Sequence, residues 1–353
     1  MTGRYAMTRE ELDSALADWG EPRYRGDQIW EGLFGQRRPL DGITSVGRSL
    51  RERVADRFPE MLQPTVIREG DEGMTVKFLW RAEGDVQIET VLMRSPGRAT
   101  VCVSSQAGCA MGCTFCATGQ AGFERHLSAG EIVEQVARAQ HAAPERVGNV
   151  VFMGMGEPLA NPDAVLAACE RLNADLGISA RHITVSTVGV VPGMERLAAF
   201  PLPVTLAVSL HAPDDELRTR LVPLDSRYPI VSVLAAARDY AARKGRRVSF
   251  EYACISEVND RIDQAEQLAT LLVGFRGGAH VNLIPLNPTG GFAGSASSPG
   301  RLAVFARALR ERGVNATIRR NRGTDIDAAC GQLRARAGLG EPAPATDPDD
   351  PRE

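Results

Sequence analysis

From residue 99 onward, short apolar runs alternate with longer helical patterns, and this rhythm restricts the fold more than any other feature of the chain. Strand-like runs fall near 99–104, 149–153, 182–186, 204–210, 248–253 and 280–285. Helical patterns fill the gaps, the best marked at about 128–141, 163–173, 230–243, 263–273 and 300–312. The clearest, 128–141, opens on Ser128 with Glu131 three residues on, a capping box, and sets Ile132, Val136 and Ala139 on one buried face. Repeated βα units of this length require parallel strands joined by right-handed crossovers. A closed eightfold barrel typically needs ~250 residues, so the expected fold is α/β, a partial (β/α)6 barrel over 99–336.

The first 62 residues follow a different pattern. Thr8 and Glu11 form a second capping box, ahead of the apolar spacing Leu12, Leu16, Trp19 and a stop at Gly20. Further helical stretches at 25–34 and 45–58 complete a small N-terminal helical accessory domain, 1–62. Between 63 and 98 the period becomes two, at 75–80 and 86–93, which predicts a β-hairpin extension. The Pro-, Asp- and Ala-rich tail, 337–353, is expected to be disordered.

Hydrophobic residues make up 43% and charged residues 24%, an ordinary globular composition. With no run of eighteen apolar residues and no apolar signal core in the first twenty, a cytoplasmic protein without a membrane span is expected. The formal charge of −3 comes from the acidic tail, so it says nothing about nucleic acid. The local run Arg319-Arg320-Asn321-Arg322 reads on its own either as a solvated surface or as a phosphate contact.

Four of seven cysteines crowd into 102–116. Cys109, Cys113 and Cys116 form a C-x3-C-x2-C loop, whose thiolates could hold three irons of a 4Fe–4S cluster. The fourth iron, lacking a protein ligand, could then chelate the amino and carboxylate groups of S-adenosylmethionine, and one electron would cleave that cofactor to a 5′-deoxyadenosyl radical. The competing reading is a zinc site or a set of buried thiols, although structural zinc usually takes four closed ligands in C-x2-C pairs. Phe115, between the last two cysteines, suits an apolar cover.

Other candidates follow the predicted strands, where (β/α) enzymes place their sites. Gly156 and Glu157 sit in the Gly154–Pro158 turn, and Glu157 could bind a methionine ammonium. Ser186, then Ser209, Leu210 and His211, then Asn287 follow in turn as candidate contacts to ribose or carboxylate. Each alone reads as a loop residue, and His211 equally as a core or capping residue; their shared placement carries the functional reading. Cys102 and Cys330 also lie near these segments, whereas Cys169 and Cys254 read as small buried hydrophobes.

Taken together, residues 8–336 resemble the RlmN family of radical S-adenosylmethionine RNA methyltransferases. The matching strings are Gly20-Glu-Pro-Arg-Tyr-Arg-Gly-Asp-Gln-Ile-Trp30, Ile88-Glu89-Thr90-Val91, Cys102-Val-Ser-Ser-Gln-Ala-Gly-Cys109 and the three-cysteine loop to Gly119. Phe152 to Leu159, Ser209 to Ala212 and Asp325 to Leu333 complete the set. The resemblance implies methylation of C2 of the peptidyl-transferase-centre adenine of 23S rRNA and of the adenine beside the anticodon in some tRNAs. It implies two S-adenosylmethionine molecules per turnover, a 4Fe–4S cluster, and an electron donor such as flavodoxin. It further implies that Cys330 carries an S-methyl group, that Cys102 resolves the protein–RNA adduct through a transient disulfide, and that Glu89 accepts a proton.

Two neighbouring readings stay open on sequence. The related Cfr-type enzymes methylate C8 of the same adenine with the same cysteines, but tend to have alanine where this chain has Pro158. A non-catalytic iron–sulfur RNA-binding protein would keep the basic surfaces without needing Cys330. Phosphate contacts are expected from Arg23, Arg25, Arg37 and Arg38 and from Arg319–Arg322.

Overall fold

The computed structural model describes residues 2–275 and 277–333; the tail expected at 337–353 lies outside the described residues. Three helices open the chain, α1 (Arg9–Asp18), α2 (Tyr24–Trp30) and α3 (Arg48–Arg57). The predicted box at α1 is present: the Glu11 N–H donates to the Thr8 hydroxyl, and the Thr8 N–H to the Glu11 carboxylate. After α2 the chain widens into a π-turn at Glu31–Gly35, where the Gln36 N–H reaches back to the Glu31 carbonyl, rather than staying α-helical. Leu12, Leu16, Ile29, Phe34 and Val54 are buried, in a core continuous with that of the sheet.

The strands β1 (Gln63–Gly70), β2 (Thr75–Arg81) and β3 (Gln87–Ser95) run antiparallel and join β4 (Arg98–Cys102). A separate two-stranded ribbon, β5 (Gln106–Gly108) and β6 (Phe123–His126), brackets the short helix α4 (Ala117–Ala121). There follow α5 (Ala129–His141), β7 (Val147–Phe152), α6 (Pro162–Ala174), β8 (Ile183–Thr187), α7 (Val191–Ala199) and β9 (Thr205–Ser209). Next come α8 (Asp215–Leu221), α9 (Ile230–Lys244), β10 (Val248–Cys254), α10 (Ile262–Leu272), β11 (Ala279–Pro285), α11 (Pro299–Glu311) and β12 (Asn315–Ile318).

All but β5 and β6 belong to one open sheet, ordered β1-β2-β3-β4-β7-β8-β9-β10-β11-β12. From β4 to β12 every neighbouring pair is parallel. The result is the partial barrel expected, with one more parallel strand than the sequence pattern marked. β12 escaped notice because only Ala316 in it is buried, and β1 because it is exposed along nearly its whole length. An edge strand wet on both faces leaves no alternation to read.

Beyond β12 the chain returns across the open side of the barrel to the first strands. Arg322 donates to the Arg94 carbonyl at 2.7 Å, the Gly323 N–H to Asp71 at 2.8 Å, and Lys77 Nζ to the Asp327 carbonyl at 3.2 Å. This strap carries Cys330. Arg37, expected at an RNA surface, is instead 4% exposed: it donates to the Val147 carbonyl at 2.6 Å and to the Leu176 carbonyl, tying the N-terminal segment to the barrel. Glu134 of α5 makes a second tie by accepting the Met61 and Leu62 amides at 2.9 and 3.0 Å. Among the described residues no helix is long and apolar enough to cross a membrane.

Candidate active site

The three-cysteine loop leaves β5 and enters α4. Gly108 has φ +69°, and a Cβ there would collide with the Gly122 carbonyl oxygen. That carbonyl accepts the Cys109 N–H at 2.7 Å, so only glycine lets the loop close at its root. The Cys116 N–H donates to the Cys113 carbonyl at 3.1 Å, the Ala117 N–H to Gly331 at 2.7 Å, and the Thr118 hydroxyl to Leu333 at 2.7 Å. The loop is thereby fastened to the strap that carries Cys330. Phe115 is buried, edge-on to the His211 ring at 4.9 Å, as an apolar cover would be.

Cys113 is buried and Cys109 and Cys116 are partly so. Burial pushes the Cys109 thiol up to about 12. Burial likewise raises the Cys113 thiol well above its ordinary range, and Cys116, Cys109 and Glu157 add to the shift, so these groups share one local field. Sulfurs desolvated in this way gain most from bonding to a cation. Among the described residues no three His, Cys, Asp or Glu side chains converge on a point suited to a single metal ion. A soft three-thiol set beside a cavity fits three irons of a cluster rather than a mononuclear centre.

Beside the thiols opens a cavity of about 870 Å³ including its mouth, walled by the C-terminal ends of β7 to β11. Gly156, Glu157, Ser186, Ser209, His211 and Asn287 all line it. Gly156 has φ +98°, and a Cβ on it would stand 2.5 Å from the Gln106 side chain, so its turn packs directly onto the chain leading to the cysteines. Glu157 accepts the Leu159 N–H at 2.9 Å and the Val188 N–H at 2.8 Å. Burial raises its pKa to about 7 despite those bonds. A buried carboxylate at a cavity wall could receive an ammonium group, which would lower that value again.

Leu210 is the expected contact that does not line the cavity: its side chain is fully buried, and its carbonyl accepts from Arg218 at 3.1 Å. His211 accepts the Ala253 N–H on Nδ1 at 3.0 Å, and burial, with Arg218 nearby, lowers its pKa to about 3, so the ring is neutral. Asn287 spends its amide on the strap, donating to the Cys330 carbonyl at 2.9 Å and accepting from Asn321 at 2.6 Å.

A second cavity adjoins the first, sharing Met153, Arg319 and Cys330 with it, and Cys102 and Cys330 both line it as free thiols. Cys102 ends β4 between Val91 and Val151, and burial, then Cys330, pushes its pKa up to about 12. Glu89 lies on β3, two residues before Val91, so strand alternation turns it to the same face. It pairs with Lys77 at 3.2 Å, a buried partner on the adjacent strand that the sequence did not reveal.

Arg319 and Glu251, not singled out for this site beforehand, also line the first cavity. The charge interaction with Cys330, then those with Glu251 and Cys102, raises the Arg319 pKa against the effect of burial. Of the basic run, Arg319 therefore faces the thiols, Arg322 is spent on the strap, and Arg320 is exposed. A glutamate in the middle of a buried strand was the available signal for Glu251; nothing local distinguished Arg319 from its neighbours.

A three-thiol loop at the C-terminal ends of a partial parallel barrel, beside a cavity walled by a buried carboxylate, defines the class of radical S-adenosylmethionine enzymes. A family model described as the Radical SAM superfamily matches residues 103–269. The probable dual-specificity RNA methyltransferase RlmN of Parafrankia sp. (strain EAN1pec) is 52% identical over 350 residues, 93% of this chain and 90% of that protein. Its counterpart from Thermobifida fusca (strain YX) is 49% identical over 340 residues, covering 92% and 93%. A crystal structure of a radical SAM methyltransferase from Sphaerobacter thermophilus superposes with a TM-score of 0.88 at 48% identity, covering 95% of this chain and 100% of that one. The chain belongs to the RlmN family of RNA methyltransferases. Members of the radical SAM superfamily use a 4Fe–4S cluster and S-adenosylmethionine, and the residues above fit both.

Proposed function

We propose that this enzyme methylates C2 of the peptidyl-transferase-centre adenine of 23S rRNA and of the adenine beside the anticodon of some tRNAs. The observation that carries this reading is the pair of free thiols, Cys102 and Cys330, in one cavity that adjoins the three-cysteine site. C2 of adenine is electrophilic and offers no lone pair, so simple transfer of a methyl cation is unsuited to it. A carrier thiol and a resolving thiol are what a radical route requires.

When bound, the cluster and S-adenosylmethionine supply a 5′-deoxyadenosyl radical. Cys109, Cys113 and Cys116 hold the cluster, and Gly156, Glu157, Ser186 and Ser209 receive the cofactor, Glu157 taking its ammonium. Cys330 carries the methyl carbon on sulfur, gives up one hydrogen atom from it to the radical and becomes joined through it to C2; Glu89, held by Lys77, takes the proton that C2 loses, and the adduct's unpaired electron would return to the cluster. Cys102 then attacks the Cys330 sulfur as a thiolate. An S–S bond forms, the S–C bond breaks, and its electron pair stays on the carbon, which gains a proton to become the product methyl group. Arg319, which lines the cavity beside both sulfurs, opposes the effect of burial on the Cys102 thiol and so favours its thiolate.

The N-terminal helices serve as an RNA-binding accessory unit, and a flavodoxin-like donor in the cytoplasm supplies the electron. Cys102→Ala is the test: the variant should accumulate a covalent protein–RNA adduct through Cys330, visible on a denaturing gel and mapped by mass spectrometry. Full turnover without adduct in that variant would overturn the release step. C8-methyladenosine in digested rRNA would replace the C2 assignment with the Cfr-type one.

A further inference from the structure

At the end of the barrel opposite the cysteines, the turns that enter the parallel strands share one chemistry. Arg98 opens β4, Arg146 precedes β7, Arg181 and His182 precede β8, and Arg246 and Arg247 precede β10. With Lys244 they line a third cavity, a bowl of about 1930 Å³ including its open mouth, and among the described residues no carboxylate lines it. None of its six Lys and Arg side chains forms an ion pair among the described residues, although such pairs are common elsewhere on the surface. Six like charges crowded without counter-charge repel one another, and a fold tolerates this where a polyanion completes the surface.

Part of the cluster has a structural use. Helix C-termini favour cations, and Lys244 at the end of α9 donates to the Phe200 carbonyl, while Arg246 donates to the Thr205 hydroxyl at 2.9 Å. Arg98, Arg146, Arg181 and Arg247 are exposed and make no such bond among the described residues. The bowl is also connected to the chemistry: it shares Arg98 and Val151 with the cavity that holds Cys102 and Cys330.

We infer that this bowl is the docking surface for the phosphate backbone of the RNA substrate, so that the target base reaches Cys330 from the strand N-terminal side while the cofactor occupies the opposite end. The inference rests on the proposed RNA methyltransferase activity and specifies where its substrate is held. Entry from two ends explains how one thiol can meet the cofactor and the base in turn. The cofactor cavity and the thiol cavity overlap only at Met153, Arg319 and Cys330, leaving Cys330 at the boundary.

The test uses the holoenzyme and an in vitro transcribed 23S rRNA fragment spanning the peptidyl-transferase centre, with binding measured across a salt series. The triple substitution Arg146→Gln, Arg181→Gln, Arg247→Gln should lower the slope of log affinity against log salt by about 2 to 3, one released counterion per lost contact. Thermal stability and RNA-free S-adenosylmethionine cleavage should match the unaltered enzyme, as a merely helix-capping role would not allow. The same three positions as lysine should restore most of the slope, because a point charge suffices for a phosphate. An unchanged slope in the glutamine variant overturns the docking surface and leaves the methyltransferase reading intact; absence of RNA binding by the unaltered holoenzyme overturns both. Ultraviolet crosslinking of the unaltered enzyme gives an independent readout. Crosslinks in peptides carrying Arg146, Arg181 or Arg247 support the inference, and crosslinks confined to the N-terminal helices contradict it.

Discussion

Asn287 Nδ2 donates to the backbone carbonyl of Cys330 at 2.9 Å, so a residue at the end of β11 fixes the position of a thiol 43 residues further along the chain. The bond from Asn321 to Asn287 Oδ1 settles which way the amide faces. The proposed carrier sulfur is therefore held by its main chain, which leaves the side chain able to turn between the cofactor cavity and the thiol cavity.

Asn287→Ala should loosen that hold. One hydrogen bond is worth ~1–1.5 kcal/mol, which corresponds to a loss of about five- to tenfold in Cys330 methylation. S-adenosylmethionine affinity, read by equilibrium binding, should change less than this. An affinity loss as large as the methylation loss would make Asn287 a direct cofactor contact instead.

At the root of the cysteine loop, Gly108→Ala combines a strained positive φ with a collision against the Gly122 carbonyl. The strain alone is of order 1–3 kcal/mol, and relief requires opening the β5–β6 ribbon that positions Cys109. Iron per chain after anaerobic reconstitution should fall sharply while the helical circular dichroism signal is retained. Full iron loading in the variant would show that the loop closes by another route.

Arg218 is fully buried and joins three segments, bonding Asp225 at 2.6 Å, the Val188 carbonyl at 2.6 Å and the Leu210 carbonyl at 3.1 Å. Arg218→Met leaves a buried carboxylate without its cation, a change that typically costs about 3–5 kcal/mol. The denaturant midpoint should drop accordingly, and cofactor binding should weaken because Ser209 and His211 flank the carbonyl that Arg218 holds. Adding Asp225→Asn should recover part of the stability; a strictly additive double variant would contradict direct pairing.

Burial, aided by Arg138, lowers the pKa of His141 to about 4, and its Nε2 has no hydrogen-bond partner among the described residues. The unfolded chain takes up a proton near the ordinary value of 6.5, so the folded form is favoured above that pH and loses this advantage as the pH falls towards 4. The loss should reach about 2–3 kcal/mol. His141→Gln should abolish it, so that the unfolding curves of the two proteins keep a constant offset above pH 6.5 and converge or cross below. A constant offset down to pH 4 would remove His141 from the acid response.

Much of this architecture is present in local sequence. The boxes at Thr8 and Ser128 start their helices where the spacing places them, and the glutamate of the second is also gripped by Arg125 at 2.6 Å. The six marked strands all form, and the residues chosen because they follow strands gather at one end of the barrel, Leu210 excepted. Each of these features is set by neighbours within about one or two turns of chain, the range over which capping and periodicity act.

What the linear pattern withheld depends on register and crossover. Lys77 meets Glu89 only because β2 pairs with β3 in one particular register. Arg37 and Arg319 are written like surface arginines, yet one locks the N-terminal segment and the other faces the thiols, since burial of a long side chain is decided by what folds over it. The same holds for the basic bowl, whose cations are scattered from 98 to 247 and become one surface only when parallel strands bring their entry turns together. The sequence by itself determined most of the elements and the class of chemistry, and marked three cysteines as the candidate iron ligands, because these are short-range matters of spacing and side-chain type. Tertiary structure alone decided which thiols, carboxylates and arginines meet, because long-range contacts are set by strand order and by the strap that carries Cys330 back across the barrel.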